Sequence, residues 1–524
     1  MAQIVESVAE RSASTAPQLA SQIEEFLTAS PKSVVLEDGR ILFDMQVARY
    51  SLSSEQGRCM LHLWSGDRNL VRTVTAVRIR KNSLRLEVRR FGQSKPQAME
   101  LVADRDRRPP GTRQTTRTKY LRMLERVSTA YFPGYTLDGL TTAADLEHSF
   151  GPAYARGTLR KGNAAWAVIG INEQESPAII DGILTIGILW LAHCRATGSG
   201  NRHVEGLKII VPAGTGQNTQ SRMRWLRTSV AQWELFELDE RSERLMPLDW
   251  QDSGNLHVEL VHAFQPEATL ERMAAAVDSV LNMLSPGLRR VTELRPRGPN
   301  EIALLLHGLE YARIRHGYAA GSFSRQDQVT FGAGANETGL TSATEDLFRE
   351  LTQKLFEHRH AGGSMRDPLY RLQPERWLES ALRSEISEIE PALRTEFLYS
   401  QVPAFSAGDR AMLDLLTVNQ SGRLVVMELK ADDDLHLPVQ ALDYWARVRQ
   451  LQREGAFQPH GYFPGTELSP LPPILYLVAP ALRIHPSTDT VLRHLSPEIP
   501  WELIGLNEGW RRDRKVILRK RSAG

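Results

Sequence analysis

The chain has 524 residues, too many for one hydrophobic core, so several domains are expected. Its 64 Lys and Arg nearly balance 62 Asp and Glu, leaving a net charge of +2, which excludes a protein that captures nucleic acid through a global field. Two cysteines, Cys59 and Cys194, are too few for a four-cysteine zinc or iron–sulfur site or a disulfide framework, so a reducing cytoplasm is the expected setting.

Residues 1–32 read as a polar leader with one helix, Gln18 to Ala29, and without the apolar segment of a signal peptide. The longest apolar stretch, Ile179 to Cys194, is broken by Asp181, Gly182 and Gly187, so no membrane partner is expected. Residues 33–108 alternate apolar and polar positions between short turns, the pattern of a small antiparallel β domain. Arg78, Arg80, Lys81, Arg85, Arg89 and Arg90, followed by the charged run 104–108, form either a solvated face or a phosphate-contacting one.

Residues 113–262 predict a helix over Thr115–Ser128, the strands YARGTL and AAWAVIGI, and a long helix over Pro177–Ala196. The strand GLKIIVPA, a helix over Gln220–Ala231 and the strand WELFELDE follow. Residues 263–364 read as a helical connector, with helices over Ala268–Leu284 and Asn300–Arg315 and with His307 as a core histidine. The glycine-rich stretch Phe331–Gly339 lacks the lysine and hydroxyl that a phosphate loop needs after its last glycine. A flexible linker is expected there, and no nucleotide cofactor.

Residues 365–524 carry the chemistry. A helix bearing Glu379 is followed by a strand bearing Asp414, the turn Asn419–Gly422, and the strand LVVMEL bearing Glu428. Alternation puts Glu428 and Lys430 on one face, and Asp414 on the neighbouring strand can join them. Two carboxylates without Cys or His are hard oxygen ligands suited to Mg²⁺ or Mn²⁺, and a lysine beside them can stabilise charge on a phosphate. Farther on, Gln440 and Tyr444 share a helix face at i, i+4. Asp432–Asp434 read as a solvated turn, and the ending RRDRKVILRKR as a basic tail.

The ordered set Glu379, Asp414, Glu428-Leu429-Lys430 and Gln440-x-x-x-Tyr444 resembles the PD-(D/E)XK nuclease superfamily. It is similar to the catalytic domains of NucS-type endonucleases and their RecB-like relatives, over about the last third of the chain. The proline that gives the motif its name is absent, Leu413 standing before Asp414. The resemblance implies a restriction-endonuclease-like α/β fold and a metal-dependent DNA endonuclease of repair, restriction or defence. Asp414, Glu428 and the Leu429 carbonyl would hold Mg²⁺ or Mn²⁺. Lys430 would be catalytic, Glu379 would hold a metal-bound water, and Gln440 and Tyr444 would orient Lys430 or the backbone near the break. A silent nucleic-acid scaffold and an RNase are the competing readings.

Residues 113–262 repeat the element order of 365–524, which predicts a degenerate second copy of the same fold. In that alignment Gly170 stands for Glu428 and Asn172 for Lys430, while Ala155-Arg156 lie near the place of Asp414. Arg156, Arg160 and Lys161 would then suit phosphate contacts. Pairing of two chains into a homodimer would supply paired cuts. The expected class is a multi-domain α/β protein.

Overall fold

The computed structural model describes residues 15–31, 33–37, 40–45, 48–54, 58–64, 69–80, 83–89, 97–103, 110–145, 147–198, 203–252, 258–318, 325–334, 338–406 and 409–522. Lys81, Arg90 and the run 104–108 of the expected basic face lie outside them. The chain is a multi-domain α/β protein, with four sheets among the described residues. It divides into two compact units, residues 1–107 with 264–381 and residues 108–263 with 382–524. Each unit draws on two separate stretches, so the expected run of sequential segments crosses both.

The first unit opens with the expected antiparallel domain. Seven strands run in the order Arg40–Asp44, Val34–Glu37, Gln97–Val102, Ser83–Arg89, Asn69–Arg80, Cys59–Trp64, Arg49–Ser53. The helix Ala16–Ala29 is more than part of a polar leader: Leu19, Ile23 and Leu27, at helical spacing, fill the sheet's core beside Leu61 and Leu86. Arg78 pairs with Glu87 across the ladder, both largely exposed, as a solvated face would have it.

The expected connector is not purely helical. Its helices Pro266–Arg272 and Ala274–Leu281 break at Met273, and a five-stranded antiparallel sheet follows. The stretch expected as the helix Asn300–Arg315 is a hairpin of Glu301–Leu306 and Leu309–Tyr318. His307 and Gly308 both hold positive φ, the two-residue turn that matches strand twist. A β-carbon on Gly308 would collide with the Arg376 carbonyl, so the position accepts only glycine. The apolar run EIALLL carries no turn signal of its own, and its helical spacing was outweighed by pairing on both edges. His307 is therefore a turn residue, stacked on Trp377 at 4.7 Å between ring centres.

The second unit holds two sheets of one topology. In the first, Arg244–Leu248, Gln232–Asp239, His203–Pro212, Ala164–Ile171, Tyr154–Lys161 and Thr136–Thr141 lie side by side. In the second, Val516–Arg521, Trp501–Leu506, Ile474–Pro480, Leu424–Leu429, Asp409–Val418 and Tyr399–Ser406 take the same order, with Val258–Leu260 added at the edge. Parallel and antiparallel pairings agree strand for strand. The expected long helix of the first copy is two, Pro177–Asp181 and Ile183–Thr197, and corresponds to Leu437–Arg453 of the second. The final stretch is an edge strand rather than a free basic tail: Arg519 and Arg521 pair with Glu502, and Lys520 with Asp489.

Strand register corrects the expected alignment by one residue. Leu207 lies opposite Trp233 and Leu475 opposite Trp501, so the row Glu428–Leu477–Leu503 matches Ile169–Ile209–Leu235. Ile169, not Gly170, takes the place of Glu428, and Ile171, not Asn172, that of Lys430. Arg156, opposite Ile169, takes the place of Asp414. Because side chains alternate, this one-residue shift exchanges the faces of the strand.

The copies pack helix against helix over one continuous core containing Ile183, Leu191, Trp225, Leu442, Trp445 and Leu492. Arg222 of the first copy, 7% exposed, grips Asp443 of the second through Nε–Oδ1 at 2.8 Å and Nη2–Oδ2 at 2.7 Å, and Asp181 through Nη2 at 2.8 Å. Burial works against the charge on Arg222, but Asp443 and Asp181 outweigh it and hold the guanidinium more firmly charged than usual. Among the described residues no helix is long and apolar enough to cross a membrane.

Arg222→Leu leaves Asp443 without its partner; since Asp443 keeps 23% of its side-chain surface in water, the loss should sit near the low end for a broken buried pair, about 3 kcal/mol, read as a lowered urea midpoint. In the first unit His62 is 4% exposed, and burial pushes its pKa down to about 4, with Asp367 acting weakly the other way. Its neutral form therefore stabilises the fold above pH ~6.5, and that contribution is lost as pH falls toward about 4. Melting temperature should drop between pH 7.5 and 5 through this residue, and His62→Leu should flatten that part of the profile.

Candidate active site

The strand Leu424–Leu429 is buried along its whole length, flanked by antiparallel Asp409–Val418 and parallel Ile474–Pro480. Its runs of Val, Leu and Met suit a strand covered on both faces. The turn that feeds it is built by Asn419, whose Oδ1 accepts from the backbone N–H groups of Ser421 and Arg423. Gly422 holds φ +75° there, where a β-carbon would strike the Glu467 carbonyl.

Into this apolar strand the sequence places Glu428, 3% exposed. Asp414 lies one rung beyond the Leu415–Met427 pair, and its Oδ2 accepts the Leu429 N–H at 3.0 Å. Lys430 follows as the chain leaves the sheet, its own N–H donating to the Val478 carbonyl at 3.0 Å. The Lys430 ammonium stands 3.5 Å from Glu428 Oε1 and 3.7 Å from Asp434 Oδ2. Asp414, Glu428, Leu429 and Lys430 thus come together at one strand end.

Tyr444 joins them from the helix Leu437–Arg453. Burial raises the pKa of its hydroxyl, the negative charges of Glu428 and Asp414 raise it further, and Lys430 pulls the other way. The phenol therefore stays protonated and can donate. Gln440, partly buried, lies one helical turn earlier on the same face.

Glu379 belongs to the first unit. Its oxygens accept from Arg295 Nη1 at 2.9 Å and Arg376 Nη1 at 3.0 Å, so its partners there are two guanidinium groups. Asp434, expected from the sequence to sit in a solvated acidic turn, faces Lys430. Asp432 and Asp433 are exposed as expected, but Asp434 is partly buried against Lys430 and accepts the His436 N–H before the helix. The i, i+4 spacing from Lys430 was the available signal.

The donor set fits a hard divalent cation. Among the described residues no three His, Cys, Asp or Glu side chains group into a metal cluster. Mg²⁺, however, commonly takes one or two carboxylates and completes its shell with water and phosphate oxygens. Asp414 and Glu428 on neighbouring strands, with the Leu429 carbonyl directly after Glu428, are donors of that type.

No family model matches this chain. No curated protein matches it either. Among solved structures, the crystal structure of a repair endonuclease from Pyrococcus abyssi is similar at 8% identity and a TM-score of 0.17, covering 44% of this chain and 98% of that one. A likeness at that level argues neither fold nor function.

If Asp414 and Glu428 hold a cation, Mn²⁺ at about a hundredfold above its Kd should stabilise the folded chain by about 2.7 kcal/mol. A thermal-shift titration should show the rise in wild type and a flat response in Asp414→Asn.

Proposed function

We propose that the second unit carries a metal-dependent phosphodiesterase centre of PD-(D/E)XK type that cuts DNA. The observation that carries this reading is the convergence of Asp414, Glu428 and Lys430 at the end of one buried strand, beside the Tyr444 hydroxyl, whose pKa burial raises and the two carboxylates raise further. A buried carboxylate is costly to fold unless its charge is used or compensated, and the Lys430 ammonium stands 3.5 Å from Glu428.

Asp414, Glu428 and the Leu429 carbonyl would hold Mg²⁺ or Mn²⁺, which when bound polarises a phosphate and makes water a stronger nucleophile near neutral pH. Lys430 supplies a positive charge and three donors for the oxygens of the scissile phosphate. Asp434 and Glu428 steady that ammonium from two sides. Tyr444 donates through its phenol, and Gln440 presents an amide on the same helix face, both suited to a phosphate or to Lys430. Glu379 is assigned to the arginine pair it already engages.

Lys430→Ala and Asp414→Asn should each lower Mn²⁺-dependent cleavage of labelled duplex or single-stranded DNA by at least about a hundredfold, with little change in melting temperature. Tyr444→Phe should cost about tenfold. Full activity in Lys430→Ala would remove the assignment.

A further inference from the structure

We propose that this chain is its own dimer, with one cutting centre and one dead centre, and that it therefore nicks a single DNA strand per encounter. The inference rests on the nuclease reading above and adds the form of the product.

The first support is symmetry. The two sheets share strand order and pairing sense throughout, and the helices between equivalent strands make the contact. The helix Ile183–Thr197 of the first copy meets Thr488–Arg493 of the second, and Leu437–Arg453 of the second meets Gln217–Met223 of the first. These are one contact made twice, the signature of a two-fold interface. At its centre Leu226 and Leu495 form an antiparallel bridge; the Arg227 N–H donates to the His494 carbonyl at 2.8 Å and the Ser496 N–H to the Trp225 carbonyl at 2.7 Å. Those segments lie at matching places ahead of Trp233 and Trp501, so the bridge straddles the pseudo-axis. Trp225 and Trp445 meet edge to face beside it at 4.9 Å.

The second support is chemistry. Where the second copy has Asp414, Glu428 and Lys430, the first has Arg156, Ile169 and Ile171. Arg156, 2% exposed, has its guanidinium carbon 4.6 Å from the centre of the Phe150 ring, and its Nη2 donates to the Ala143 carbonyl. A cation locked on an aromatic ring in place of the first carboxylate, facing an isoleucine in place of the second, leaves no oxygen shell for Mg²⁺. Arg160 and Lys161 are also engaged, with Asp138 and the Tyr135 ring.

The face through which two copies of this fold pair in the molecule is thus occupied from within. A second chain is not needed to complete it, and a paired cut would require a second, independent encounter.

The test is a time course on supercoiled plasmid with Mn²⁺, DNA in excess, using the full chain. The expected result is open circles in at least tenfold excess over linear product when half the supercoiled DNA is consumed, with an initial rate first order in protein. A tenfold excess of Asp414→Asn chain mixed in should leave that rate unchanged. Linear product rising together with open circles, or a rate that is second order or poisoned by the inactive chain, overturns the single-strand inference while leaving the nuclease reading standing. No metal-dependent cut in any form of the plasmid overturns both.

Discussion

The packing of the two copies depends on one arginine. Arg222 is nearly removed from water, yet it carries a charge that Asp443 and Asp181 hold in place from the opposite copy and its own. Such a pair repays the cost of desolvation only when its geometry is good, and here Nε and Nη2 engage both oxygens of Asp443 while Nη1 takes the Asp181 carbonyl. The interaction fixes one geometry between the copies, since both oxygens of Asp443 meet the same guanidinium edge. Around it Trp225 and Trp445 meet edge to face in the shared core. Asp443 lies directly before Tyr444, so the residue that anchors the interface also fixes the turn of helix that faces Glu428.

That link joins architecture to chemistry. The second copy's central strand is covered on both faces, which keeps water from Glu428 and strengthens every charge near it. The first copy has the same strand in the same place, but isoleucine and arginine turn the equivalent row into core. Such filling leaves the packing between the copies in place while the equivalent row becomes apolar. The first copy contributes Ile183, Leu191 and Trp225 to the core on which the other copy's helices rest.

The first unit follows a different logic. Its two antiparallel sheets derive from hairpins, and its charges are mostly spent on one another: Arg78 with Glu87, Arg315 with Glu301, and Glu379 with Arg295 and Arg376. Arg359, fully buried, donates to the carbonyls of Leu306, His307, Leu369 and Leu372 and so ties the His307–Gly308 turn to the chain that follows. The same guanidinium lies 4.5 Å over the Trp377 ring, so its planar fork meets backbone oxygens at its edges and an aromatic face.

Much of this was readable from local pattern. Alternation announced the N-terminal antiparallel sheet, and the Asn419–Gly422 turn between two apolar runs announced the hairpin that brings Asp414 to Glu428. Repeated element order announced the second copy, because periodicity and turn chemistry are properties of neighbouring residues. The failures share a physical cause. Glu301–Ile314 has helical spacing, and only pairing with strands on either side, together with the closed space at Gly308, made it a hairpin. The one-residue slip between the copies could not be seen without the ladders that set Leu207 against Trp233 and Leu475 against Trp501. Asp434 looked like its two solvated neighbours until the fold brought Lys430 back to it. Sequence alone determined which residues could hold a cation and on which strands they would lie. Tertiary structure decided which helix covers them, which acid serves arginines in the first unit, and that the copies pair inside one chain, because those outcomes depend on contacts between residues far apart in sequence.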